Sequence, residues 1–180
     1  SRMRTPLSEA MSVTTARIQR SAVYMKELFA EPIPKQEGEE FFHDIYELRK
    51  EKLSQPDETI HQTTKAFTIG PVDHSATPRY VLLVGETGSG KRTLLNGIAN
   101  TYYGVKHEDP FRFKLFNDPP PEDVQAVSQN TDVTLYILYP PQETVDKNVL
   151  DVPLAIIDTP GFGSDQSNEH DQKVLKNIGR

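Results

Sequence analysis

No cysteine occurs among the 180 residues, so neither a disulfide framework nor a thiolate metal site is available to this chain. Long apolar runs are missing as well. The longest, at residues 80–84 and 154–157, fall far short of the ~20 residues that a membrane-spanning helix requires. Residues 1–30 hold no continuous apolar segment of the kind that a secretory signal carries. Positive charge is in deficit: the formal net charge is −6 and the pI is near 5.4, which argues against a general nucleic-acid binder, so no nucleic-acid partner is expected. The five histidines, His43, His61, His74, His107 and His170, have no close ligand-like spacing and read as scattered surface residues. These absences suit a cytoplasmic protein.

The length gives room for one domain of ordinary size and a modest extension. The chain starts at Ser1 and stops at Arg180 inside a stretch that reads as helix, so a fragment of a longer protein is expected.

Residues 12–29 place Ile18, Ala22, Met25 and Phe29 along one helical stripe, and Pro32 and Pro34 end it. A second helix is predicted over residues 39–53, with Phe41, Ile45 and Leu48 on one face, before Ser54, Gln55, Pro56 and Asp57 break the pattern. Residues 1–77 are therefore expected to form a helical, partly disordered extension.

From Thr77 the texture changes. Residues 79–84 form a short apolar run ending in glycine, which fits a buried strand of a parallel sheet. Residues 93–102 read as a helix with Leu94, Leu95 and Ile98 as its buried side. Residues 110–121 are rich in proline and aspartate and read as a surface connection, with an extended piece at 111–116. Residues 131–139 alternate with strand periodicity, and 149–158 form a further strand, joined to the first as an antiparallel hairpin. Residues 167–178 look helical, with Val174, Leu175 and Ile178 as the apolar side.

The first chemical signal lies between the first of these strands and its helix. Gly85, Glu86, Thr87, Gly88, Ser89, Gly90 and Lys91 fit the first seven positions of the Walker A pattern G-x-x-x-x-G-K. A glycine-rich loop alone is usually a turn. Here a strand, three glycines, a lysine and a helix start coincide, which is the arrangement in which successive backbone N–H groups converge on an anionic phosphate. Lys91 would reach the β- and γ-phosphates of a purine nucleoside triphosphate. The eighth position departs from the pattern. It should carry a hydroxyl that ligates Mg²⁺, and it holds Arg92. Thr93 follows, but on a helix it is turned by about 100° from its neighbour. Arg92 either points outward or supplies charge that partly replaces the ion.

The second signal is the apolar run ending in Asp158, Thr159, Pro160 and Gly161. An aspartate at the end of such a strand can hold Mg²⁺ through water, and a glycine three residues later can offer its N–H to a γ-phosphate.

Together these segments resemble the G1 and G3 motifs of translation-factor-class P-loop GTPases. Residues 85–91, with Asp158, Thr159, Pro160, Gly161, Phe162 and Gly163, are most similar to septin-type and immunity-associated G domains. The resemblance implies an α/β fold, the three-layer sandwich of P-loop NTPases, in which residues 78–180 form the N-terminal half of a G domain. It implies GTP as ligand and Mg²⁺ as cofactor, with Thr93, Thr131 and Asp158 as metal-side residues and Lys91, Thr131 and Gly161 as the groups facing the reacting phosphate. Thr131, or alternatively Thr134, would be the threonine that senses the γ-phosphate. It also implies a guanine nucleotide as partner and homo- or hetero-oligomers formed through the G domain.

Phe162 stands where related enzymes carry a water-positioning glutamine, so hydrolysis is expected to be slow alone or completed by a partner. The guanine-specificity motif, Asn/Thr-Lys-x-Asp, does not occur between Gly161 and Arg180. A catalytically impaired nucleotide-binding interaction module is the alternative. A P-loop ATPase is a third reading, disfavoured because no acidic residue follows Asp158.

Overall fold

The computed structural model describes residues 20–35, 42–53, 64–116, 133–142, 144 and 150–161. Helix α1 spans Ser21–Phe29 and runs into strand β1, Ala30–Pro32. Ala22 and Met25 of the expected stripe are fully buried and Phe29 packs partly against the core. Ile18 lies outside the described residues.

The helix predicted over 39–53 is not formed. Its described residues make β2, Asp44–Leu48, and β3, Glu51–Lys52. Ile45 and Leu48 satisfy a helical spacing, but Ile45 and Tyr46 also favour strand, and tertiary partners decide. β2 is a central strand, antiparallel to β1 and parallel to β6, Phe111–Lys114. Tyr46 meets the Phe111 ring edge-on at 6.1 Å, a contact that the helical reading did not use. The expected helical extension is thus, among its described residues, one helix and four strands. The fourth is β4, Thr64–Ile69.

The second sheet has the order β3-β4-β7-β8-β5, where β5 is Arg79–Leu83, β7 is Val133–Leu138 and β8 is Leu154–Asp158. β7 and β8 form the expected antiparallel hairpin, and β5 runs parallel to β8. β4 pairs in parallel with β7 over six residues, so a strand that precedes residue 78 is built into the same sheet as the strands that follow it. β5 is not the buried strand its composition suggested. Among the described residues it lies at the end of the sheet, where Tyr80 is 67% and Leu82 52% exposed, while Leu83 faces the core.

Helix α2, Lys91–Tyr102, begins two residues earlier than the apolar pattern implied. Its buried side is Leu95, Ala99 and Tyr102, at spacings of four and three, whereas Leu94 is 53% exposed and Ile98 half-buried. Rotation about the helix axis has a polar cause. Asn96 and Asn100 turn toward β6, where Asn96 Oδ1 accepts from Leu115 N at 2.8 Å and Asn100 Oδ1 from Phe113 N at 2.9 Å. Asn100 Nδ2 donates to Phe113 O at 2.8 Å and to Asn96 O at 2.7 Å. These amides replace strand partners on the free edge of β6, whose N–H and C=O groups would be costly to bury unpaired.

One apolar core joins both sheets and both helices, with Met25, Leu48, Ile69, Leu95, Phe113, Leu138 and Ile156 at its centre. The buried Tyr102 hydroxyl lies 3.0 Å from both Leu138 O and Val152 O, and Tyr103 donates to Ile69 O at 3.1 Å. Burial pushes both phenols well above their ordinary pKa, which keeps them neutral donors. After α2, Asp109 takes a forked pair of hydrogen bonds from Arg20 at 2.6 and 3.0 Å, and a third from Lys106 N at 2.7 Å. Among the described residues no helix is long and apolar enough to cross a membrane. The predicted helix at 167–178, and with it one flank of a three-layer arrangement, lies outside the described residues.

Candidate functional site

The loop that joins β5 to α2 is built from its glycines. Gly88 and Gly90 have φ of +79° and +86°, angles that side chains rarely adopt, and open space lies where a Cβ would point. Ser89 N donates to Glu86 O at 3.2 Å, which closes the turn. Gly90 caps α2 without a side-chain hydrogen bond, and its carbonyl accepts from Leu94 N at 2.9 Å as the helix begins. The orphan N–H groups of the first helical turn therefore meet the glycine loop, a place where anionic oxygens are favoured.

Lys91 currently bends back over this loop. Its ammonium donates to Gly85 O at 2.7 Å and to Glu86 O at 2.8 Å, so the cation is held at the mouth of the loop by two carbonyls. Glu86, Thr87, Gly88, Ser89 and Gly90 are exposed, as are Arg92 and Thr93.

The second motif is tied to the first. Thr159 is buried, and its hydroxyl and amide both donate to Leu83 O, at 2.7 and 3.2 Å, which fixes the loop after β8 to the end of β5. Gly161 then lies directly against Thr87. A Cβ on Gly161 would sit 2.7 Å from both Cα and N of Thr87, so only glycine permits this approach. Asp158 closes the arrangement from the strand end. One of its carboxylate oxygens is buried with no hydrogen-bond partner among the described residues. Burial raises its pKa, and the nearby charges of Lys91 and Arg92 work against that rise.

Residues 85–93, Asp158 and Gly161 are thus brought to one end of the sheet. Thr131 and Phe162 lie outside the described residues. Thr134 is buried in β7 directly opposite Asp158 in the antiparallel ladder, which makes it a fixed strand residue rather than part of a mobile loop. Thr159, which the sequence marks as part of the run from Asp158 to Gly161 without a role of its own, positions the loop. One residue at this site had no mark in the sequence. Phe116 lies beneath Arg92, whose guanidinium carbon is 5.4 Å from the ring centroid. Nothing along the chain links positions 92 and 116.

Among the described residues the donor set for Mg²⁺ is incomplete. Asp158, with its unpartnered buried oxygen, is a fitting carboxylate. Arg92 is not a ligand, because a guanidinium has no lone pair to offer and its charge repels a dication. Thr93 is exposed one step further round the helix. Among the described residues no three of His, Asp and Glu gather into a metal-binding group. Among the described residues, those present at the eighth loop position do not fit the metal site that the loop pattern ordinarily accompanies.

Comparison with known proteins returns one family. The model of the family described as Septin matches residues 77–179, beginning just before β5 and covering the glycine loop, α2, the hairpin and the loop at Gly161. Searches of curated proteins and of solved structures return no match.

Proposed function

The chain belongs to the septin family, a family of GTP-binding P-loop proteins, and from that premise we propose that residues 78–180 bind GTP at the junction of the glycine loop and the Gly161 loop. The observation that carries this reading is the contact between Gly161 and the backbone of Thr87, because two loops from separate strands close on one another only where glycine allows it. In this reading the N–H groups of residues 86–91 surround the β-phosphate. Lys91 exchanges its two neutral carbonyl acceptors for anionic phosphate oxygens, so that the ammonium meets opposite charge. Gly161 N–H addresses the γ-phosphate, so the loop that begins at Asp158 reports whether it is there. Thr131 is the proposed second reporter.

Hydrolysis, where it occurs, is slow or assisted by a partner, since Phe162 has no group that orients water. A second reading, a binding module with little or no hydrolysis, is favoured by one specific feature, Arg92 in place of a hydroxyl. An ATPase lacks comparable support, because Asp158 is followed by Thr159 rather than by an acid. Cytoplasmic residence and self-association through this domain belong to the same proposal. The exposed apolar residues Tyr80 and Leu82 on strand β5, with Val84 just after it, provide a surface suited to a second copy.

Calorimetric titration of the chain and of its Lys91→Ala variant with GTP, GDP and ATP tests this. GTP binding that excludes ATP and weakens by about a hundredfold or more in Lys91→Ala is expected. Unchanged affinity in the variant would remove the loop from the account.

A further inference from the structure

Position 92 is where the loop pattern places the metal-ligating hydroxyl, and the fold around it is organised to hold a cation instead. The Arg92 guanidinium carbon lies over the Phe116 ring, 5.4 Å from its centroid; Phe116 stands edge-on to the buried Tyr136 at 5.4 Å, and Tyr136 in turn stacks on Phe67 at 5.8 Å. The ring is therefore backed by the sheet. Lys50 approaches the same ring, 5.6 Å from its centroid, while its ammonium donates to Glu47 at 2.7 Å and to Leu115 O. Phe116 is thus a platform for positive charge, fixed from behind.

Two fixed cations, Lys91 and Arg92, act on Asp158, the strand-end carboxylate with an unpartnered buried oxygen. In a metal-dependent site that carboxylate and the phosphates share a dication captured from solution. Here a second positive charge is already part of the chain, and a dication added beside it meets repulsion.

We propose that Arg92 takes the place of the divalent cation, so that this chain binds the phosphates of a nucleoside triphosphate without Mg²⁺. The proposal rests on the nucleotide reading above and specifies how its charge is balanced. Lys91 and Arg92 neutralise the phosphates from two adjacent positions of the first helical turn. The planar guanidinium, steadied by Phe116, presents paired N–H donors to phosphate oxygens, which an ammonium at the same position does not reproduce.

The test is GTP binding by the full chain in Mg²⁺ and, separately, in EDTA, for the parent and for Arg92→Ser and Arg92→Lys, with circular dichroism to verify folding. Parent affinity within about twofold in the two buffers is expected. Arg92→Ser is expected to lose roughly tenfold or more in EDTA and to recover on adding Mg²⁺, because it restores the hydroxyl, and Arg92→Lys to retain binding in EDTA at an intermediate level. A parent affinity that falls tenfold or more on chelation overturns the proposal while leaving GTP binding intact. So does an Arg92→Ser variant that binds as well as the parent in EDTA. Absence of binding in both buffers by folded protein overturns the nucleotide reading itself, and this inference with it.

Discussion

The two halves of α2 are held by opposite means. At its rear, Asn96 and Asn100 exchange four hydrogen bonds with the helix and β6, Leu95 and Ala99 are fully buried, and Tyr102 and Tyr103 spend their hydroxyls on strand carbonyls. At its front the loop is exposed, two glycines carry positive φ, Lys91 is satisfied only by carbonyls of its own loop, and Asp158 has a buried oxygen with no partner among the described residues. A helix whose rear is fully satisfied and whose front is not has its stability at one end and its capacity for a ligand at the other. The exposed N–H groups and the Lys91 ammonium at the front are what a bound anion pairs with, and the rigid rear keeps the front in register.

If this division holds, substitutions at the rear change stability and leave the ligand alone. The largest effect is expected from Asn100→Ala, which leaves Phe113 N–H and C=O unpaired against the helix. A loss of about 2–3 kcal/mol in urea unfolding, with GTP affinity within about twofold of the parent, is the expected outcome. Thr159→Val sits where the halves meet. It removes the buried hydroxyl bond to Leu83 O, and a loss of about 1–2 kcal/mol should be accompanied by weaker GTP binding, since the Gly161 loop is no longer tied to β5. A stability loss without any change in affinity would blur the boundary drawn here.

The smallest effects concern pH, and they differ in sign. At the rear, the hydrogen bonds from Arg20 hold Asp109 below its ordinary value of 3.8, against the opposing effect of burial. Its folded pKa is depressed, so its contribution to stability is present above the unfolded value and is lost as pH falls through the folded one. At the front, burial holds Asp158 above 3.8, so the folded protein binds the extra proton and stability falls as pH rises from the ordinary value through the raised one. Urea midpoints measured against pH should show Asp109→Asn flattening the acid limb and Asp158→Asn raising the midpoint at neutral pH. The same sign for both substitutions would contradict the contrast.

The front was legible in the sequence and the rear was not, for a physical reason. The loop proposed to bind phosphate needs specific backbone angles and a specific cation, and both are encoded locally, in Gly88, Gly90 and Lys91. The Gly161 loop was readable for the same reason, although its contact with Thr87 was not. Asn96 and Asn100, by contrast, read as ordinary polar positions on a helix. Their function depends on where β6 lies, which no local pattern records, and so Leu94 was expected inside beside Leu95, where Ala99 lies instead. The strand β2 was misread as helix because the helical spacing of Ile45 and Leu48 was followed over the strand preference of Ile45 and Tyr46, and the partners that settled it, β1 and β6, come from either side in the chain. Likewise β5 carries the composition of a central strand yet, among the described residues, lies at the end of the sheet.

The division of α2 is tested most directly by melting three proteins, the parent, Lys91→Ala and Asn100→Ala, with and without GTP. At a GTP concentration of 100 times Kd the parent should gain on the order of 5–10 °C. Asn100→Ala should start lower and gain as much, and Lys91→Ala should start where the parent does and gain nothing. A shift that survives in Lys91→Ala, or one that is absent from the parent, would contradict the assignment of the front of this helix as the nucleotide site.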